Sequence, residues 1–128
     1  MANDPTALSP LHIEVATQYA PEHSEPAKGV YLFLYTITLR NHGDDTLKLE
    51  RRHWFITDGN GERSEVEGPG VVGETPTLSP GTQYRYTSSV TLPTPVGTMQ
   101  GFYTLSCNGQ EVRAPIAPFS LSQPGTLH

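Results

Sequence analysis

The sequence predicts an all-β fold: an antiparallel β-sandwich of seven to eight strands, immunoglobulin-like or fibronectin type III-like, with a small barrel as the structural runner-up. Three observations carry this. Apolar residues recur at every second position wherever the chain is regular. Turn-forming residues interrupt these runs at spacings of about 8–12 residues. No stretch free of Gly and Pro repeats apolar residues with helical spacing. The 128 residues hold 12 Gly, 12 Pro and 35% hydrophobic residues, core material enough for a single domain spanning 1–128.

The first alternating segment is LHIEVATQY, with Leu11, Ile13, Val15, Thr17 and Tyr19 on one face. VYLFLYTITLR follows, with Tyr31, Phe33, Tyr35, Ile37 and Leu39 on one face and Val30, Leu32 and Leu34 on the other, the pattern of a central strand covered on both sides at its start. TLKLE sets Leu47 and Leu49 inward, and RHWFIT leads through DGNG, Asp58 to Gly61, into ERSEVEG as a hairpin. After a long connection, TQYRYTSSVTL places Tyr84, Tyr86, Ser88, Val90 and Leu92 on one face. TMQGFYTLSC does the same with Met99, Gly101, Tyr103, Leu105 and Cys107. The chain turns at Asn108-Gly109 and returns through QEVRAPIAPFSL as a last pair of short strands broken by Pro115 and Pro118, which belong at an edge or at a crossing between sheets. Residues 1–9 and the tail 122–128 are expected to be flexible.

Eight basic and thirteen acidic side chains give a formal charge of −5, so the chain carries no broad electrostatic footprint for nucleic acid or an acidic membrane. The single Cys107 excludes an intrachain disulfide and a cysteine-based zinc site. The N-terminus lacks a basic start and an apolar segment, and no run is long enough to span a bilayer, so a cytoplasmic protein is expected.

Residues Gly68 to Gly73 read GPGVVG, a literal G-x-G-x-x-G. In dinucleotide-binding proteins that pattern follows a strand and opens a helix whose free amides face the phosphates. Here ETPTLSPG follows, and Pro76 and Pro80 oppose a helix start. What stays open is a helix-free nest of amides around Gly70 and Gly73 that holds an anion, or a surface for a partner.

The stretches HW-ITDGNG, EVEGPGVVGETP, LSPG--Y-YTS, TP-GTMQG-Y and the closing P-F-L at Pro118, Phe119 and Leu121 occur in that order. Together they resemble the ApaG family over nearly the whole chain, from about Leu11 to His128. Departures are small: Leu105 stands where the family often has Met, and the residues after Cys107 look shorter than usual. The resemblance implies a fibronectin type III-like fold. It also implies a link to cobalt tolerance and magnesium efflux without an assigned molecular activity, in a family whose bacterial members are typically encoded beside a diadenosine-tetraphosphate hydrolase. The same domain attached to eukaryotic F-box proteins and to a DNA-polymerase-interacting protein looks like a binding module.

For site residues the expectations are these. Gly68, Gly70, Val71, Val72 and Gly73 form a ligand- or partner-binding loop, or else the glycines supply the positive φ of an ordered crossing that Val71 and Val72 anchor. A protein partner is favoured over a phosphate cradle because Glu67 and Glu74 flank the glycines. Arg63 and Arg85 are the nearest supporting cations in sequence. A small polyphosphate or dinucleotide bound with Mg²⁺ is the alternative. The five histidines (His12, His23, His42, His53, His128) have no metal-ligand spacing, and pairs such as His12 with Glu14, Asp44 with Asp45 or Glu65 with Glu67 offer at most a weak hard-ion site. No catalytic constellation, cofactor or metal is expected. Of His53, Trp54 and Phe55, Trp54 belongs to the core, and an exposed Phe55 or Tyr86 near the long loop would mark a partner site.

Overall fold

The computed structural model describes residues 10–125, so the chain ends at 1–9 and 126–128 lie outside the described residues. Eight strands follow in order: β1 (Leu11–Tyr19), β2 (Tyr31–Asn41), β3 (Leu47–Asp58), β4 (Arg63–Pro69), β5 (Thr77–Leu78), β6 (Gln83–Leu92), β7 (Val96–Cys107) and β8 (Gln110–Ser122). Two short 3-10 turns, Pro21–His23 and Pro26–Lys28, lie in the β1–β2 connection, and there is no α-helix among the described residues. The strands form two antiparallel sheets. One has the order β1-β2-β6; the other has the order β4-β3-β7-β8, with β5 also pairing β3.

Alternation places the core as the sequence pattern requires. Phe33, Tyr35, Ile37 and Leu39 of β2 meet Met99, Tyr103 and Leu105 of β7 in one buried cluster. Trp54 is 2% exposed and lies edge-on to Tyr35, Tyr103 and Phe119, with ring centroids 5.5, 6.4 and 5.8 Å away. The outer face at the start of β2 is only half-covered, since Leu32 and Leu34 remain partly exposed.

Period-two reading breaks at two bulges, and both matter. In β3 the register moves from Leu49 opposite Leu105 to Arg51 opposite Thr104, so Glu50 is an extra residue. The inward set therefore changes parity, from Leu47 and Leu49 to Trp54 and Ile56. TLKLE and RHWFIT are thus one strand of 12 residues. In β8 the register steps from Ile116 opposite Gly101 to Phe119 opposite Met99, which shifts the inward set from Ala114 and Ile116 to Leu121. The expected pair of Pro-broken strands is instead one continuous strand of 13 residues. Its place at the sheet edge lets Pro115 and Pro118 withhold an N–H from the ladder without ending it. Ser122 pairs with Val96, and the Gln123 amide donates to the Pro95 carbonyl at 2.9 Å, so the expected flexible tail begins as bonded backbone.

The DGNG turn closes the β3–β4 hairpin. The Asp58 carboxylate accepts from the amides of Asn60 and Glu62 at 2.8 and 3.1 Å, and the Gly61 amide donates to the Asp58 carbonyl at 3.0 Å.

Candidate binding surfaces

The long connection is an excursion from the edge of β3. Having run beside β3 to Pro69 opposite Arg51, the chain donates the Gly70 amide to the Glu50 carbonyl at 2.8 Å, across the bulge. Val71 and Glu74 then exchange two backbone hydrogen bonds of 2.8 Å, closing a two-residue turn at Val72-Gly73 with φ of 42° and 81°. The chain returns to β3 where the Leu49 amide meets the Pro76 carbonyl at 3.0 Å, and β5 begins at Thr77. β5 is a strand that the sequence pattern did not reveal, and no helix follows the glycines.

The three glycines have different duties. Gly70 is buried at φ 60°, and a Cβ there would collide with the Glu74 carbonyl. Gly73 needs its positive φ but faces open space. Gly68 has no positive φ, contrary to the expectation for the crossing; it lies in β4, where its missing side chain leaves room for the Arg52 guanidinium, 3.3 Å from an ideal Cβ. Val71 is fully buried and belongs to the core, but Val72 is 52% exposed, so only Val71 anchors the loop. A β-branched residue at positive φ is unfavourable, and an exposed one at a loop tip marks a position that stability alone would give to Asn or Gly.

The amides of Gly70, Val71 and Glu74 are thus already committed to carbonyls. Arg52 reinforces the loop: its Nη1 donates to the carbonyls of Pro69 at 2.9 Å and Gly70 at 3.1 Å. Neither expected supporting cation serves the glycines in this way. Arg63 lies with its Cζ 4.3 Å from the Phe55 ring centroid, and Arg85 projects from the exposed face of β6 into a groove lined by Glu14, Thr36 and Thr38.

The outer face of the β4-β3-β7-β8 sheet carries a more organised constellation. His53 stacks on Phe102 across β3 and β7, with centroids 4.9 Å apart and planes at 25°, and leans on Phe55 at 4.7 Å. Arg113 of β8 covers Phe102 at 4.3 Å as Arg63 of β4 covers Phe55. The result is a ladder, Arg63, Phe55, His53, Phe102, Arg113, that crosses four strands. Carboxylates fix its centre: His53 Nε2 donates to Glu65 Oε2 at 2.7 Å, His53 Nδ1 lies 3.9 Å from Glu67 Oε1, and Arg51 Nη2 reaches the same Glu67 oxygen at 3.4 Å. Parity explains the face: the Glu50 bulge that turns Trp54 inward turns His53 and Phe55 outward. Phe55 is half-buried beneath Arg63, and Tyr86 is buried in a hydrogen bond with Tyr103. Burial pushes both phenols above their ordinary range. Phe102 and Arg113 were not singled out from the sequence; the signal was their outward parity beside Tyr103 and Ala114.

Two of the three weak hard-ion pairs, His12 with Glu14 and Glu65 with Glu67, are engaged by protein partners. Glu14 pairs with Arg40 at 2.9 Å and lies 3.6 Å from His12, whose ring meets His42 at 5.5 Å; the Arg40 hydrogen bond holds the Glu14 carboxyl below its usual value. Asp45 offers its backbone carbonyl to Asn41 at 2.8 Å. Among the described residues no group of three or more His, Cys, Asp or Glu is placed to hold a metal ion. Cys107 is half-buried against the core cluster. No helix among the described residues is long and apolar enough to cross a membrane.

Comparison with known proteins places this geometry among relatives. A family model described as the ApaG domain matches residues 21–107. Protein ApaG of Shewanella piezotolerans is 55% identical over 122 residues, covering 94% of this chain and 97% of its own. A structural-genomics X-ray structure superposes with a TM-score of 0.88 at 51% identity, covering 93% of this chain and 91% of its own. The crystal structure of a putative ApaA protein from Bordetella pertussis does so with a TM-score of 0.88 at 44% identity, covering 91% and 95%.

Proposed function

Because the chain belongs to the ApaG domain family, we propose that it is a non-catalytic accessory module that binds another protein, with the outer face of the five-stranded sheet as its working surface. One observation carries this reading: the ladder from Arg63 through Phe55, His53 and Phe102 to Arg113. A few residues dominate binding at protein interfaces, Arg among the commonest of them, and Phe and Arg are enriched at interface cores. Here they are held by one another and by Glu65 and Glu67, so docking costs little side-chain entropy. The link to magnesium and cobalt homeostasis then runs through the partner rather than through an ion held by this chain, because Glu14, Glu65 and Glu67 are each taken by a neighbouring Arg or His.

The test is capture from lysate of the host with the tagged wild type, with Phe102→Ala/Arg113→Ala, and with Val72→Asp at the loop tip. A protein held by the wild type and by Val72→Asp but absent from the ladder variant supports the reading. Equal capture by all three, or loss with Val72→Asp alone, counts against it.

A further inference from the structure

The two sheets differ in width, and the difference falls on one side of the sandwich. The large sheet runs β4-β3-β7-β8 and the small one β1-β2-β6. At one seam β1 lies against β8. At the other, the small sheet ends at β6 with no further strand to lie over β4. Val66 stands opposite Trp54 and Ser64 opposite Ile56, so their side chains share the inward face of those core residues. Trp54 and Ile56 are 2% and 8% exposed, whereas Val66 is 43% exposed and Ser64 is exposed as well. The inner face of β4 is therefore bare beside the free edge of β6.

That edge is open to pairing. β6 keeps an unbroken register with β2 from Gln83 to Leu92, and among the described residues its backbone bonds to no other segment. Alternate residues thus turn their N–H and C=O groups away from β2. Edge strands are commonly guarded by Pro, Lys or a bulge. β8 has Pro115, Pro118 and a bulge, and β4 has Glu65, Glu67 and Pro69. β6 has no such guard and carries one charge, Arg85.

Two hollows follow one another along the seam. The first, of about 200 Å³, sets Trp54, Ile56, Val66 and Met99 against Ser88 and Val90. The second, of about 210 Å³, sets Asp58, Glu62 and Ser64 against Val90 and Leu92. They are offset by about two residues of β6, the ~6.8 Å at which a strand sends successive side chains to one face. Their chemistry differs: the first is mostly apolar, the second acidic. Neither Asp58 nor Glu62 forms an ion pair among the described residues, and Arg63, on the same wall, holds its guanidinium over Phe55 instead.

We propose that this seam takes an extended segment of another protein as a fourth strand of the small sheet, beside Ser88 to Leu92. Antiparallel to β6, as every pair in the fold is, the segment meets the acidic hollow first. It therefore places Lys or Arg between Asp58 and Glu62 and, two residues later, Val, Ile or Leu over Trp54 and Val66. Backbone pairing supplies affinity, and the two hollows supply the choice of side chains. Thr87 lies outside this stretch, its hydroxyl turned to that of Thr36 on the outer face at 2.8 Å. The seam and the ladder lie on opposite faces of β4, so either reading can fail while the other stands.

The test titrates the ¹⁵N-labelled protein with the capped peptide TKTVT and, separately, with TETVT. Saturable amide shifts at 88–92, with slowed hydrogen exchange there, are expected from the first peptide, which should bind about fivefold more tightly than the second. Glu62→Lys, in an exposed turn, should reverse that preference. Val66→Ser, at an exposed position, should weaken binding of TKTVT about fivefold. The proposal is overturned by the absence of saturable shifts at 88–92 at several millimolar peptide, by shifts confined to the ladder, or by equal affinity for the two peptides. Shifts of the same amides on raising the protein concentration alone would overturn it too, since a second copy of this chain would then be the occupant.

Discussion

His53 and Phe102 stack across the outer face of the sheet with centroids 4.9 Å apart, and this single contact joins the β4–β3 half of the ladder to the β7–β8 half. Phe102→Ala removes both the stack and the perch of Arg113. Because the face is open to solvent, the loss of stability should be about 1 kcal/mol. Denaturant unfolding should therefore show a modest shift in midpoint, while partner capture is lost. A variant that unfolds at ambient temperature would make Phe102 a structural residue.

The two positive-φ glycines of the loop should respond differently to the same substitution. Gly73→Ala adds a methyl in open space and should cost about 1 kcal/mol of backbone strain. Gly70→Ala adds the same strain and drives a Cβ into the Glu74 carbonyl, so a loss above about 3 kcal/mol is expected. Chemical denaturation of the two variants side by side reads the difference, and equal costs would refute the described turn.

The adjacent valines should separate just as clearly. Val71→Ala deletes two fully buried methyls and should cost about 2 kcal/mol. Val72→Asn places at φ 42° a residue that tolerates it, ahead of Gly73, and should raise stability by about 0.5–1 kcal/mol. A destabilising Val72→Asn would show that the valine is held by contacts rather than tolerated at an exposed tip.

The Glu14–Arg40 pair predicts a pH dependence of known sign. Arg40 lowers the folded pKa of Glu14 from its ordinary 4.5, so the unfolded chain takes up the proton first as pH falls. The pair's stabilisation is therefore present above 4.5 and is lost as pH drops through the lower folded value. Glu14 is fully exposed, so the effect is small and salt-sensitive. Melting temperatures of wild type and Glu14→Gln should differ near neutrality and converge in acid; a gap that widens in acid would contradict the assignment.

Most of the sandwich was legible because its strands alternate: β2, β6 and β7 turn inward the residues that period two selects, β1 half-buries Leu11, Ile13, Val15 and Tyr19 while leaving Thr17 exposed, and the family resemblance that the motifs carry agrees with the comparisons. Bulges were not legible. Glu50 reverses the parity of β3, and nothing local in LKLERRHW announces an extra residue, because the bulge is defined against Leu105 and Thr104 on another strand. The β8 bulge likewise hid a continuous edge strand behind two prolines. Within the loop, GPGVVG marked a real structural demand at Gly70 and Gly73, but the cation that meets it is Arg52, 16 residues before Gly68 and brought opposite it only by the β3–β4 register. Arg63 and Arg85 were nearer candidates by sequence and are turned elsewhere by Phe55 and by the alternation of β6. The ladder combined one legible part, HWF, with two residues, Phe102 and Arg113, that acquire meaning only when four strands lie side by side.

The claim that the outer face of the large sheet meets a protein partner is tested most directly by photo-crosslinking in the host cell. A benzoylphenylalanine replaces Thr104, beside the ladder in the hollow lined by Arg51, Phe102 and Arg113, or Thr87, on the exposed face of the other sheet. A discrete cross-linked protein from position 104 and none from 87 is the result expected. Cross-links from 87 alone, or from neither position in cells that hold the folded protein, would contradict the account.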